Sequence, residues 1–210
     1  VYVTLKAYYP EYAFSDDHFK IFAIGHWVST NVKYISDPLV KDEHIAPPDE
    51  TLKVMLGDCD DFAVLLATLY RSVGLNAMVG LIDTDGDEKV DHATALVYLD
   101  EDADVALNRI SKWAYVLGID VDGISYFNKD GGILLVVDPP MALNKDKPWY
   151  VLHKPYRLIK KLVVTPIYLK SQDSVVFPLR KSVISILQIE EDDTLEGEII
   201  IGDKKIISDK

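Results

Sequence analysis

Three observations predict a domain of mixed helices and strands. A helix-period apolar pattern runs over about residues 16–32, and a stronger one over 57–73. From residue 76 onward the pattern changes to alternating or continuous apolar runs bounded by turn residues. The chain has 210 residues, of which 49% are hydrophobic and 27% charged. That suffices for one well-filled domain with additions and excludes wholesale disorder. No apolar stretch approaches the roughly 18–20 residues that span a bilayer, and the N-terminus lacks a basic-then-apolar leader. The expectation is a soluble domain that inserts nothing into a membrane, compatible with the trimmed soluble part of a secreted or membrane-anchored protein. Neither compartment nor oligomeric state is legible. A formal net charge of −12 argues against nucleic-acid binding, which draws its affinity from neutralising phosphates.

In chain order, Val1–Tyr12 mixes β-branched and aromatic residues and reads as an extended lead-in. Ser15, Asp16 and Asp17 then offer capping oxygens before Phe19, Phe22, Ala23, His26 and Trp27, which are spaced for one helix face. The stretch 36–51 holds Pro38, Pro47 and Pro48 and reads as an ordered loop. In the 57–73 helix Phe62, Leu65, Leu66, Leu69 and Val73 share a face that Ala63, Val64 and Ala67 widen, and Gly74 is its expected left-handed C-cap. Asn76–Asp83 and Lys89–Leu99 read as a hairpin about the turn 84–87. In the second strand His92, Thr94, Leu96 and Tyr98 share one face, and Ala93, Ala95, Val97 and Leu99 share the other. Both faces are largely apolar, so this strand is central.

Residues 100–132 break the hairpin rhythm and read as a partly helical insertion. Ile133–Val137 is a short buried strand that stops at Asp138-Pro139-Pro140. A lysine-rich stretch, 145–161, follows, then β-like runs at 162–169, 175–179, 183–189 and 198–207. The expected organisation is a core over 1–162, with the insertion at about 100–132, and an additional β-rich segment over 163–210 that belongs to it or forms a small appended domain.

Cys59 is the only cysteine, which excludes an internal disulfide and any thiolate-rich zinc or iron–sulfur site. Three roles stay open for it: inert core residue, intermolecular crosslink or catalytic nucleophile. Its position at a helix start favours the thiolate, through the helix dipole and the free backbone N–H groups. His92, in a central strand, and Asp138, at a strand tip, are the other polar residues that end or interrupt buried elements. A thiol, an imidazole able to take its proton and a carboxylate able to orient that imidazole make a nucleophilic set. Asp58, Asp60 and Asp61 oppose the thiolate but suit a helix start, and their side chains are expected along its collar. Lowering a thiol pKa from about 8.5 to about 5 raises the thiolate fraction only roughly 30-fold, so positioning and an oxyanion site must supply most of any rate. The Cys59 backbone N–H is the natural first donor there. Asp58 and Asp91 are expected as supporting groups, and the sequence identifies no second donor.

Gly57-Asp-Cys-Asp-Asp61 with its helix, Gly74-Leu-Asn-Ala77, Asp91-His92-Ala93 and Val137-Asp138-Pro139 together resemble the transglutaminase-like superfamily, a branch of the papain-like cysteine hydrolases. Trp27, Asn31, Tyr34 and Pro47-Pro48-Asp49-Glu50-Thr51 are similar to the family's approach to its cysteine. The resemblance implies an α+β core in which the cysteine helix packs on an antiparallel sheet. It also implies Cys59 as nucleophile, His92 as general base and acid, and Asp138 as the orienting partner. The span between His92 and Asp138 is longer than the family's usual hairpin, which suggests a flap over the cleft at 100–132. The expected activity is acyl transfer or hydrolysis at amide bonds of a peptide or protein through a thioester, with peptidase-like hydrolysis favoured over crosslinking. The alternative is an inactive module of this fold that binds peptides or serves assembly.

No cofactor is expected. Asp83-x-Asp85-Gly86-Asp87 and Asp120-x-Asp122-Gly123 are similar to calcium loops but lack the glycine and the glutamate at the required positions, so they read as turns. His18, His26, His44 and His153 read as structural or surface residues. The cluster Lys145, Lys147, Lys154, Arg157, Lys160 and Lys161 reads as a solvated face.

Overall fold

The computed structural model describes residues 11–36, 45–116, 118–121, 123–141, 155–164, 187–189, 194–201 and 204–207. After a short 3-10 turn, Glu11–Ser15, helix α1 spans Asp17–Asn31. Asp16 caps it, accepting the Phe19 N–H at 3.1 Å as its sequence position predicts. Phe19, Ile21, Phe22, Ala23, Ile24 and Val28 are all buried, so α1 is a core helix rather than a surface one.

Strand β1, Lys33–Tyr34, pairs in parallel with β2, Leu56–Gly57, and between them lies α2, Pro48–Val54. This helix occupies part of the stretch read as loop. Pro48 sits at its first position, where the missing N–H would have had no intrahelical partner, so the prolines that argued against helix are compatible with its start.

Helix α3, Cys59–Ser72, presents Phe62, Leu65, Leu66 and Tyr70 to the core shared with α1. Ala63, Val64 and Ala67 pack on the sheet beneath. Gly74, at φ +88°, is the predicted left-handed terminator. The buried Tyr70 hydroxyl donates to the Ile21 carbonyl at 3.0 Å and ties α3 to α1.

The remaining elements are β3 (Ala77–Asp83), β4 (His92–Leu99), α4 (Ala103–Val116), β5 (Gly123–Lys129), β6 (Gly132–Val137), β7 (Arg157–Val164), β8 (Leu187–Ile189), β9 (Leu195–Ile201) and β10 (Lys204–Ile207). The strands form an antiparallel sheet in the order β10-β9-β5-β6-β4-β3-β7-β8. In it β4 is central, as its two apolar faces predict. Strand β9 also pairs with β7, through Arg157↔Glu196 and Leu158↔Leu195, so β9, β5, β6, β4, β3 and β7 close into a ring. Alternation along the strands then sorts side chains between two cores. Met78, Ile82, Leu96, Phe127, Leu134, Val136, Tyr156, Leu158 and Ile199 fill the inside of the ring. Ala77, Ala95, Val97, Ile124, Leu135 and Val137 face outward under α1, α3 and α4. This is the expected α+β arrangement, with the cysteine helix on an antiparallel sheet.

Residues 100–132 are no flap. Helix α4 packs on α1, with Phe19 and Trp113 edge to face at 5.0 Å between ring centres. Buried His18 joins the two helices through Glu101, which also holds Arg109 at 2.8 Å. Strand β5 lies between β6 and β9. Its aromatic pair, Tyr126-Phe127, belongs to alternating faces of a strand that polar and glycine residues frame closely enough to hide the period. The run 198–207 falls on two strands, β9 and β10. Strand β7 begins inside the lysine-rich stretch. Residues 1–10, the run 175–179, most of 183–189 and Lys145, Lys147 and Lys154 lie outside the described residues.

Gly132 begins β6 where a Cβ would stand 2.0 Å from the Leu99 carbonyl oxygen, whereas a Cβ on Gly74 meets nothing within 4 Å. Gly132→Ala is expected to destabilise the fold by about 3 kcal/mol through backbone displacement, and Gly74→Ala by about 1 kcal/mol through left-handed strain alone. Urea denaturation of the two variants checks the ranking.

Candidate functional site

Pairing between β4 and β6 sets the geometry. Ala95 lies opposite Val137, so one further step puts Asp138 opposite Thr94 and diagonal to His92 on the same face. The imidazole Nε2 lies 2.7 Å from Asp138 Oδ2, with His92 8% and Asp138 2% exposed. The long span between them therefore does not separate the two residues. It builds α4 and the β5–β6 hairpin and returns β6 alongside β4. Cys59 is a second side-chain hydrogen-bond partner of the imidazole. The structure thus brings Cys59, His92 and Asp138 together, with Asp138 on Nε2.

Burial by itself pulls the His92 pKa down. The hydrogen bonds and negative charge of Asp138 and Cys59 outweigh it and push the imidazole up to about 10. The cysteine, partly exposed, opens α3, where the first backbone N–H groups have no intrahelical acceptors.

The aspartates around it do different work. Gly57 has no Cβ, and one placed there would lie 2.6 Å from Asp61 Cβ. That space lets the buried Asp61 carboxylate fold back to accept the Asp58 N–H at 3.3 Å and the Ala46 N–H at 2.7 Å. Asp61 therefore clamps the lead-in loop to the helix start, along the collar as expected. Asp60 does not behave as a simple collar residue. Burial first, then its hydrogen bond to Asp58 and the charges of Asp58 and Asp61, push its pKa up to about 8. Around neutral pH it keeps a proton, and the sulfur has one negative neighbour fewer than the sequence implies.

Two tyrosines complete the surroundings. Tyr156, 3% exposed, sets its ring edge to face with His92 at 6.3 Å, and its pKa is raised by burial and then by Asp138 and Asp91. Its backbone carbonyl accepts the Gly197 N–H of β9 at 2.8 Å. The close approach requires glycine, because a Cβ at 197 would lie 2.6 Å from that oxygen. No motif in the sequence marks Tyr156. Tyr34 stands beside the start of α3, with its ring 6.4 Å from Phe62.

Asp91 is engaged in the 84–91 turn, its carboxylate accepting the Thr84 N–H at 2.9 Å and hydroxyl at 2.6 Å. Asp83 accepts the N–H groups of Asp85, Gly86 and Glu88, which makes the 83–88 segment a carboxylate-organised turn. Asp122, His44 and His153 lie outside the described residues. Arg157 reaches Glu88 at 3.0 Å and Glu196 at 3.6 Å, and Lys161 is buried, so these two do not form a merely solvated face. His18 and His26 sit on α1: His18 between Glu101 and Asp16, His26 stacked on Phe22. Among the described residues no helix is long and apolar enough to cross a membrane.

Residues 11–108, just under half of the chain, match the family model for the transglutaminase-like superfamily. The matched stretch includes Cys59 and His92 and ends before Asp138. Neither the curated proteins nor the solved structures yielded a match.

The His92 shift carries a sign. Its folded pKa is raised above the ordinary 6.5, so the stability it contributes is complete below about 6.5 and drains away as pH climbs through about 10. The thermal midpoint should fall between pH 7 and 10 in the parent protein and stay flatter in His92→Gln. By NMR, the His92 ring should titrate near 10, and Asp138→Asn should lower that value.

Proposed function

We propose that this protein, whose residues 11–108 match the model of a superfamily made up in general of cysteine acyltransferases and hydrolases, cleaves or transfers acyl groups at peptide amide bonds through Cys59. The observation that carries the reading is the buried imidazole of His92, hydrogen-bonded to Asp138 and interacting with Cys59 at the start of α3. With His92 already holding the proton as an imidazolium, the Cys59 thiolate attacks the amide carbonyl carbon. The carbonyl electron pair moves onto oxygen, and collapse of the adduct expels the amine, which leaves with the proton from His92. Water, deprotonated by His92, then attacks the thioester, releasing the acid and restoring the thiol. An amine in place of water gives transfer instead.

Asp138 orients the ring and stabilises its cationic form. Hydrolysis is the favoured outcome because the cysteine is only partly buried and water can reach its surroundings. The proton retained by Asp60 supports the same chemistry by reducing the negative charge beside a sulfur that must carry negative charge.

Iodoacetamide at pH 6 should alkylate Cys59 rapidly and stoichiometrically, and His92→Ala should slow this by about 100-fold. Parent protein reacting no faster than glutathione would sink the proposal and favour a peptide-binding module of the same fold. Peptide hydrolysis and amine incorporation, each compared with Cys59→Ala, then separate the two outcomes of the thioester.

A further inference from the structure

A hydrogen bond at a ring nitrogen fixes one atom of an imidazole, and packing must hold the rest of the ring. A buried ion pair also needs water kept away, because water screens the attraction that offsets its desolvation. Strand register shows where the packing about His92 comes from. His92 lies opposite Ile82 on β3, and Ile82 lies opposite Leu158 on β7, so the three form one row on the inward face of the ring. Tyr156 stands two residues before Leu158, and its side chain joins the same inward core as Ile82 and Leu158. It continues that face past the end of β4 that His92 opens. There its ring crosses the imidazole at 67°, with 6.3 Å between ring centres. Tyr156 is 3% exposed, so the aromatic ring closes this end of the inner core over the His92–Asp138 pair.

The backbone under the tyrosine is fixed from β9. The Gly197 N–H donates to the Tyr156 carbonyl at 2.8 Å, and a Cβ at 197 would stand 2.6 Å from that oxygen and 3.1 Å from the Tyr156 nitrogen. Leu195, two residues earlier on β9, pairs with Leu158. Both Tyr156 and β9 lie beyond the stretch 11–108 shared with the family model, so the part of the chain outside that match supplies this wall.

Resting on the nucleophilic reading of Cys59, we propose that Tyr156 is a positioning residue whose ring fixes the His92 imidazole and keeps water from its bond to Asp138. The titratable groups about the imidazole are Asp138 at the end of β6, Cys59 at the start of α3 and Tyr156 itself. Carboxyl oxygens of Asp58 and Asp60 lie within 4.8 Å of the Cys59 sulfur, and Asp91, next to His92, is bonded to Thr84. Asp138 and Cys59 favour the imidazolium and burial opposes it, and entry of water weakens both effects. The charges prevail in the closed site, so opening it moves the His92 pKa down, towards the ordinary 6.5.

Tyr156→Phe keeps the ring, and Tyr156→Leu removes it. Iodoacetamide alkylation at pH 6 reads a thiolate that exists through the imidazolium, whereas at pH 9.5 the thiol ionises without aid. Tyr156→Leu should alkylate about tenfold more slowly than the parent at pH 6 and within about threefold of it at pH 9.5, and by NMR its His92 ring should titrate about one unit lower. Tyr156→Phe should match the parent within about threefold at both pH values. A cooperative thermal transition by circular dichroism identifies folded variants, and Tyr156→Met takes the place of Tyr156→Leu if that variant does not fold. Equal losses at the two pH values give the tyrosine a merely structural role and overturn the proposal, as does a phenylalanine variant that loses as much as the leucine one. Parent-like alkylation and titration in Tyr156→Leu defeats the role of Tyr156 alone. Parent protein reacting no faster than glutathione at pH 6 defeats the nucleophilic reading and the proposal together.

Discussion

The hydrogen bond between His92 and Asp138 is the constraint on which the arrangement of the site depends. Both groups are buried, and an ion pair so placed is favourable only with near-ideal geometry and further hydrogen bonds around it. That geometry is a property of strand register. A slip of one residue between β4 and β6 would turn Asp138 to the opposite face of the sheet, towards α1 and α3, and leave a charged imidazole in an apolar enclosure. The outward and inward cores enforce the register from both sides, because each strand residue is committed to one of them. The packing of Leu96, Leu134 and Val136 inside the ring thereby helps to orient a ring nitrogen at its rim.

Much of this was legible in the sequence, and for a common reason. Cys59, His92 and Asp138 each sit where a strongly patterned element begins or ends: the most apolar helix, a two-faced apolar strand and a continuous apolar run. Periodicity locates such boundaries well. Elements with weak periodicity were read wrongly. The seven residues of α2 are too few to show a helical period behind two prolines, and β5 has an apolar middle framed by polar ends. The side chains around Cys59, His92 and Asp138 were the hardest to foresee. Tyr156 comes near His92 only because β9 folds back against the residues before β7, and Tyr34 comes near α3 only because β1 pairs in parallel with β2. Those approaches arise from tertiary pairing, for which a single sequence carries no local signal.

Electrostatics at the sulfur run against the composition. A chain of net charge −12 with aspartates on both sides of its cysteine is a poor setting for a thiolate. The structure relieves this in two ways. Asp61 is drawn off to backbone N–H groups, and Asp60 holds a proton against Asp58. Against what remains stands one imidazolium, fixed by Asp138.

The contact between Gly197 and Tyr156 bears on the order in which the molecule is made. During synthesis the cysteine helix and the His92 strand emerge long before β9, yet the wall behind the imidazole is pinned by a residue of β9, and the same strand closes the ring by pairing with β5 and β7. Such non-local pairings form late and slowly. A nascent chain therefore carries its thiol and imidazole for some time without the support that aligns them. The alignment of these side chains is thus one of the last features of the fold to be completed, after β9 has docked.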